Sequence, residues 1–198
     1  IISTWQIIGK PNKFNIVELG PGDGDLTKIL IKTFKKFPKF KKSTNIYLYE
    51  KSKLLKSLQK KNIKDKQVKW INSFDSIKKG PVIFYGNEFF DSLPIKQFLR
   101  TKENYLEKYF SLNKRSKIIE LYKKALNKDI IELKKYRSFK NLKFIEYPKE
   151  GFKMLNKVIN KISRSGGGLL LIDYGYTVPK NKSTLQSIFK HKRNKLTE

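Results

Sequence analysis

Asn15-Ile16-Val17-Glu18-Leu19-Gly20-Pro21-Gly22-Asp23-Gly24 is the stretch that decides the fold. Its first half is short, apolar and β-branched, the composition of a strand buried on both faces. Its second half sets glycine at every other position, where backbone can take a positive φ and come close to a ligand. Asp25 then reads as the cap of a helix with Leu26, Ile29, Leu30, Phe34 and Phe37 on one face and Pro38 as its stop. A second strand at Asn45–Glu50 lies far enough on for a βαβ crossover, the unit of a parallel doubly wound sheet.

Outward from this core, Ser52 caps a short helix carrying Leu54, Leu55 and Leu58, and Val68–Ile71 and Pro81–Tyr85 read as third and fourth strands. The texture changes near Ile95. Gln97–Arg100 and Tyr105–Phe110 flank Thr101–Asn104 as a β-hairpin inserted into the α/β pattern. Residues 113–143 are rich in lysine and read as partly helical from the spacing of Ile118, Ile119, Tyr122 and Leu126. A helix from about Lys149 to Ser165 leads through Gly166-Gly167-Gly168 into Leu169–Tyr174, the most hydrophobic strand and therefore expected at the centre of the sheet. The expectation is one α/β domain over residues 1–198, a doubly wound Rossmann-like sheet with a hairpin and helical insertion at about 95–145.

Composition narrows the function. The 198 residues include 45 Lys+Arg against 17 Asp+Glu, no cysteine and a single histidine, His191. Thiol chemistry, disulfides, Cys-ligated zinc and multi-histidine metal sites fall away, and no metal is expected. No run approaches the roughly 18 apolar residues that span a bilayer, and no secretion signal is read, so the chain is expected to be soluble. Five basic residues are arginine (Arg100, Arg115, Arg137, Arg164 and Arg193) and the others are lysines spread along the chain. Readers of nucleic acid favour the guanidinium fork, so a solvated lysine surface is the first reading and a polyanion contact the second.

Glu18, Asp23 and Asp25 crowd a loop that spaces its glycines as G-x-G-x-G, not as the dinucleotide G-x-G-x-x-G. Carboxylates there repel a pyrophosphate and suit a cation, such as the sulfonium and ammonium of S-adenosylmethionine; an ordinary tight βα turn is the plainer alternative. Glu18, Gly20, Pro21, Gly22 and Gly24 are the candidate cofactor residues of the loop. Glu50, closing the second strand, is placed to accept from ribose hydroxyls, and Asp75 is a weaker candidate for an adenine amino group. At the end of the fourth strand, Gly86–Pro94 carries Asn87, Glu88 and Asp91. In a helical turn Glu88 and Asp91 would share a side and could hold a guanidinium or ammonium, with Phe89 and Phe90 as core.

Ile16–Gly24, then Asn87-Glu88-Phe89-Phe90-Asp91-Ser92-Leu93-Pro94, then Gly167–Tyr176, and finally Thr184-Leu185-Gln186 with His191, resemble the MidA-like family of S-adenosylmethionine-dependent methyltransferases in order and spacing. The glycine loop is common to many methyltransferases; the N-E-F-F-D-S-L-P segment with the D-Y-G-Y strand end is the specific part. The position after Gly22 departs from relatives, being Asp23 where Arg or Thr is common. The resemblance implies a cofactor, S-adenosylmethionine, and a protein arginine acceptor, as in the complex I assembly methyltransferase of mitochondria that the family includes. It makes Glu88 and Asp91 the candidate catalytic carboxylates, with Asn87 positioning cofactor or substrate, Asp173 and Tyr174 as the opposite wall and His191 as a possible base. It implies a bacterial cytoplasm or a mitochondrion as compartment. Members extend beyond both ends of this chain, so a fragment with an open pocket and weak activity is expected. An RNA methyltransferase and a noncatalytic assembly module stand as alternatives.

Overall fold

In a computed structural model, which describes residues 1–178, 180–189 and 192–194, the chain runs through α1 (Ile2–Ile7), β1 (Phe14–Leu19), α2 (Asp25–Lys35), α3 (Pro38–Ser43) and β2 (Thr44–Tyr49). Then follow α4 (Lys53–Asn62), β3 (Val68–Ile71), β4 (Val82–Asn87), β5 (Lys96–Arg100), β6 (Tyr105–Leu112) and β7 (Ile118–Lys124). The last of the longer elements are α5 (Asn127–Lys134), β8 (Phe144–Tyr147), α6 (Lys149–Ser165) and β9 (Gly167–Ile172). The chain divides into two compact units, one of Ile1–Leu93 with Phe152–Tyr174, the other of Pro94–Gly151 with the residues from Gly175 on.

The first unit is built on a parallel sheet in the order β3-β2-β1-β4-β9. All six residues of β1 are buried, as a central strand requires. Period-two alternation divides the strands between two cores. Phe14, Ile16, Ile46, Leu48 and Ile83 face Trp5, Ile31, Phe34 and Phe40 of the first three helices. Val17, Leu19, Tyr47, Tyr49 and Phe84 face Phe74 and the α6 residues Met154 and Val158. Asn15, polar and fully buried in β1, is satisfied because its amide donates to the carbonyls of Lys78 (3.0 Å) and Gly80 (3.2 Å).

Three expectations are corrected here. The buried stripe of α2 is Thr27, Ile31 and Phe34, whereas Leu26, Ile29 and Phe37 are exposed. The cause lies at the helix start: Gly24, in the left-handed region, is the cap, Asp25 is the first helical residue, and Thr27 turns inward to a buried carboxylate. Pro38 opens α3 as its first residue. In α4 the Ser52 cap is present, its Oγ accepting from the Leu55 amide at 3.2 Å, but Leu54 and Leu58 are exposed and Gln59 takes the buried position. Finally, β9 is not central among the described strands: it pairs with β4 at one end of the sheet, and Leu170, Leu171 and Ile172 are 41–54% exposed. A strand's apolar content states what it needs to bury, and the order of strands is set by their connections.

The second unit carries an antiparallel sheet, β7-β6-β5-β8. Ile118–Lys124, expected to be helical, is strand β7, because seven consecutive residues pair with β6 and that pairing outweighs a short helical spacing. Phe98 and Ile145 are fully buried on this sheet and Leu133 of α5 nearly so. Asp129, with no exposed side-chain surface, is held by Lys96 at 2.8 Å and Lys149 at 3.0 Å, and Lys96 also reaches Glu107 at 2.9 Å.

Candidate functional site

The glycine loop lies where β1 gives way to α2. Gly20, Gly22 and Gly24 all have positive φ, at +62°, +56° and +88°. The three glycines differ in what they face. A Cβ on Gly20 would stand 2.7 Å from Cδ2 of Phe89, and one on Gly24 would stand 2.8 Å from Cδ1 of Ile63, whereas Gly22 has open space. Gly20 and Gly24 are therefore fixed by close packing, while Gly22 is open; Gly20 and Gly22 border a cavity. The Gly20 amide donates to the Tyr49 carbonyl at 3.0 Å and the Gly24 amide to that of Pro21 at 2.8 Å, so the loop is braced across to β2.

That cavity, about 310 Å³, is lined by Gly20, Gly22, Tyr49, Glu50, Glu88 and Phe89, among others. Its apolar walls with a few acidic groups are those of a small-molecule site. Glu50 stands at the end of β2 with Oε1 accepting from the Ser52 amide at 2.8 Å and Oε2 from the Gln59 amide at 3.4 Å, which leaves lone pairs on both oxygens. Gln59 was not legible in the sequence. Its Nε2 donates to the Gly22 carbonyl at 2.7 Å as well as to Glu50, and its Oε1 accepts from the Trp70 indole at 2.9 Å. One fully buried amide thus ties the middle glycine, the acid of β2 and strand β3 together. A polar residue at a helical position flanked by Leu55 and Leu58 was the available signal.

Glu18 points away from this cavity. It is 3% exposed, and one carboxylate oxygen accepts from the Thr27 hydroxyl and from the Tyr85 hydroxyl at 2.9 Å. Burial raises its pKa, against the lowering effect of those two hydrogen bonds. Tyr85 is pushed up in turn, by its own burial and by the Glu18 charge. Glu18 thereby braces β1, β4 and the first turn of α2 beneath the loop. Asp75 is exposed in a 3₁₀ turn, its carboxylate accepting from the Ser73 hydroxyl at 2.8 Å, and does not line the cavity. Pro21 is buried in the loop.

Asn87 ends β4 exposed, and Glu88, beside it in the cavity wall, has φ +51°. A non-glycine residue in the left-handed region costs about 1–2 kcal/mol and clusters at functional sites. Left-handed Glu88 stands just ahead of a turn over Phe89–Ser92, in which the Leu93 amide donates to the Phe90 carbonyl at 3.3 Å; Phe89 packs against Gly20, while the Glu88 amide donates to the Ile172 carbonyl at 2.8 Å. Three carboxylates gather at this end of the sheet. Burial, then the charges of Asp173 and Glu88, raise the pKa of Asp91. The Tyr174 hydroxyl donates to Glu88, and that bond and the Glu88 charge raise the pKa of Tyr174. His191 lies outside the described residues.

Comparison with known proteins gives the family and the fold. Residues 1–197 match the family described as "Putative S-adenosyl-L-methionine-dependent methyltransferase", and the chain belongs to that family. It is 28% identical to the mitochondrial protein arginine methyltransferase NDUFAF7 homolog of Caenorhabditis elegans, over 93% of this chain and 48% of the relative. With the Danio rerio mitochondrial protein arginine methyltransferase NDUFAF7 it shares 25% identity over 88% of this chain and 47% of the relative. The chain thus spans about half the length of the curated relatives it matches. A Burkholderia thailandensis protein of known structure superposes with a TM-score of 0.75 at 13% identity, covering 96% of this chain and 53% of that one. A second structure from that organism, crystallised with S-adenosyl-homocysteine, superposes at a TM-score of 0.65 and 14% identity over 87% of this chain and 45% of that one. The shared fold is a mixed α/β architecture on a parallel sheet.

Proposed function

We propose that this chain forms the cofactor-binding part of a methyltransferase that transfers the methyl group of S-adenosylmethionine to an arginine side chain of a protein. In it the first unit is a doubly wound Rossmann-like sheet and the antiparallel unit, hairpin included, an insertion into that sheet. Cofactor fit is supported by the donor set: an open glycine at Gly22, apolar walls at Tyr49, Leu55 and Phe89, and a Glu50 carboxylate with spare lone pairs for two ribose hydroxyls. Gly20, Gly22, Glu50 and Asn87 would hold the cofactor, whose sulfonium supplies an already activated methyl group. Glu18 enters this reading as a brace under the loop and Asp75 does not enter it.

The observation that carries the acceptor assignment is the gathering of three carboxylates, Glu88, Asp91 and Asp173, in which burial first and then the charges of Asp173 and Glu88 raise the pKa of Asp91. A guanidinium stays protonated in water and is held by carboxylates, which can fix its plane and direct one nitrogen at the methyl group. The cavity lining contains two carboxylates and one lysine, Lys51, where an RNA acceptor would call for a basic approach. In a radiolabel transfer assay on arginine-bearing protein, Glu88→Gln is expected to lower kcat about 100-fold and cofactor affinity less than about threefold, the signature of a group acting on the acceptor. Label recovered in RNA, or unchanged turnover in the Gln variant, would overturn the assignment.

A further inference from the structure

We infer that the second unit carries a separate site for single-stranded nucleic acid, seating one nucleotide in a cavity between β5, β6 and the segment after α5. The cavity measures about 400 Å³, and its lining contains Arg100, Lys134, Lys135, Arg137 and Lys140 and no carboxylate. Of these only Lys135 has an acidic partner among the described residues, Glu132 at 2.7 Å. Two of the chain's five arginines, 37 positions apart in sequence, meet here in a protein that otherwise uses lysine. The guanidinium of Arg100 is already oriented, since it donates to the Lys140 carbonyl.

The floor is aromatic. Tyr136 and Phe139 lie 5.4 Å apart, Tyr147 packs against both at 5.8 and 6.2 Å, and Tyr105 also lines the cavity. Rings that are half-buried and packed on a buried third ring, here tilted at 49° to one another, hold their orientation at little cost in side-chain entropy. Cations around an aromatic platform are the two elements of sequence-tolerant single-strand binding: fork and ammonium groups take the phosphates, and a base stacks on a ring. An acidic peptide would satisfy the cations and leave the rings unused. This site is independent of the glycine-loop cavity, which lies wholly in the first unit.

The test is fluorescence anisotropy of the 198-residue chain with a labelled ten-nucleotide oligouridylate between 50 and 200 mM salt. Arg100→Gln with Arg137→Gln should weaken binding at least about tenfold and flatten the log K against log salt slope by about 1.4, the value for two phosphate contacts on a single strand. Phe139→Leu should weaken it about fivefold or more with the salt slope unchanged, as loss of one stacked base requires. Lys114→Gln with Lys117→Gln, on the turn between β6 and β7, removes the same charge away from the cavity and should cost less than about threefold. Because Arg100 also braces a carbonyl, Arg137→Gln alone is measured with its melting temperature; a weakened complex at unchanged melting supports the site. Equal losses in the arginine and lysine pairs, an unaffected Phe139→Leu variant, or competition by oligoglutamate as strong as by unlabelled oligonucleotide would each overturn it.

Discussion

Glu18 is buried in the parallel-sheet unit and Asp129 in the antiparallel unit, and the cost of burial is met differently in the two. In the parallel-sheet unit Glu18 is met by two neutral hydroxyls, and burial wins: its pKa rises. In the antiparallel unit Asp129 also suffers desolvation, but hydrogen bonds and charges from Lys96 and Lys149 outweigh it and its pKa falls. The difference teaches that burial disfavours the charge of an acid met by neutral donors, whereas charged donors turn a buried acid into the hub of an ion network.

Removing the hub should have the largest effect. Asp129→Ala leaves Lys149 and half of the Lys96 contacts without a carboxylate, for an expected loss of about 3–5 kcal/mol in urea unfolding, with faster amide exchange in β5 and β8. A loss below 1 kcal/mol would mean that the lysines find water and that the network adds little. Gln59→Met removes the amide shared by Gly22, Glu50 and Trp70 with little change of volume. Leaving these groups unmatched should cost about 2–3 kcal/mol and weaken S-adenosyl-homocysteine binding about tenfold by calorimetry. Gly20→Ala should cost about 2 kcal/mol more than Gly22→Ala, because both strain the backbone but only the first meets Phe89. Equal costs would show that the ring moves aside.

The smallest effect is expected at Glu18, and it is the sharpest contrast with Asp129. Both hydroxyls donate to the same oxygen, so Glu18→Gln keeps its acceptor and should change stability at neutral pH by less than about 1 kcal/mol. The pH dependences have opposite signs. Above the ordinary Glu value of 4.5 and up to its raised value, folded Glu18 keeps a proton that the unfolded chain has released, so its contribution declines as pH rises through that window. Asp129 contributes fully above its ordinary value of 3.8 and loses that contribution as pH falls through its lowered one. Stability profiles of Glu18→Gln and Asp129→Asn against the parent should therefore diverge at opposite ends of the scale.

The loop, the places of the first four strands along the chain and the ends of α6 were legible because local chemistry sets them: β-branched residues, alternate glycines, a serine cap. What escaped was decided by partners distant in sequence. Thr27 is buried ahead of Leu26 because Glu18 lies behind it, Gln59 ahead of Leu58 because Gly22 and Trp70 need it, and β7 is a strand because β6 runs beside it. Glu50 was readable as the end of its strand, whereas Glu18 faces inward by the same alternation that should have been carried one register step further, to its neighbour Tyr85.

The indole of Trp70 gives this protein its own optical probe. The chain has two tryptophans; Trp5 donates to the Pro11 carbonyl at 3.0 Å, and Trp70 is separated from both Gly22 and Glu50 by one glutamine. With Trp5→Phe, emission would come from Trp70 alone, and any ligand that draws on Glu50 or shifts the glycine loop would reach the fluorophore through the two hydrogen bonds of Gln59. Occupancy of the cavity could then be followed in real time without a label, in a chain that has no cysteine to carry one.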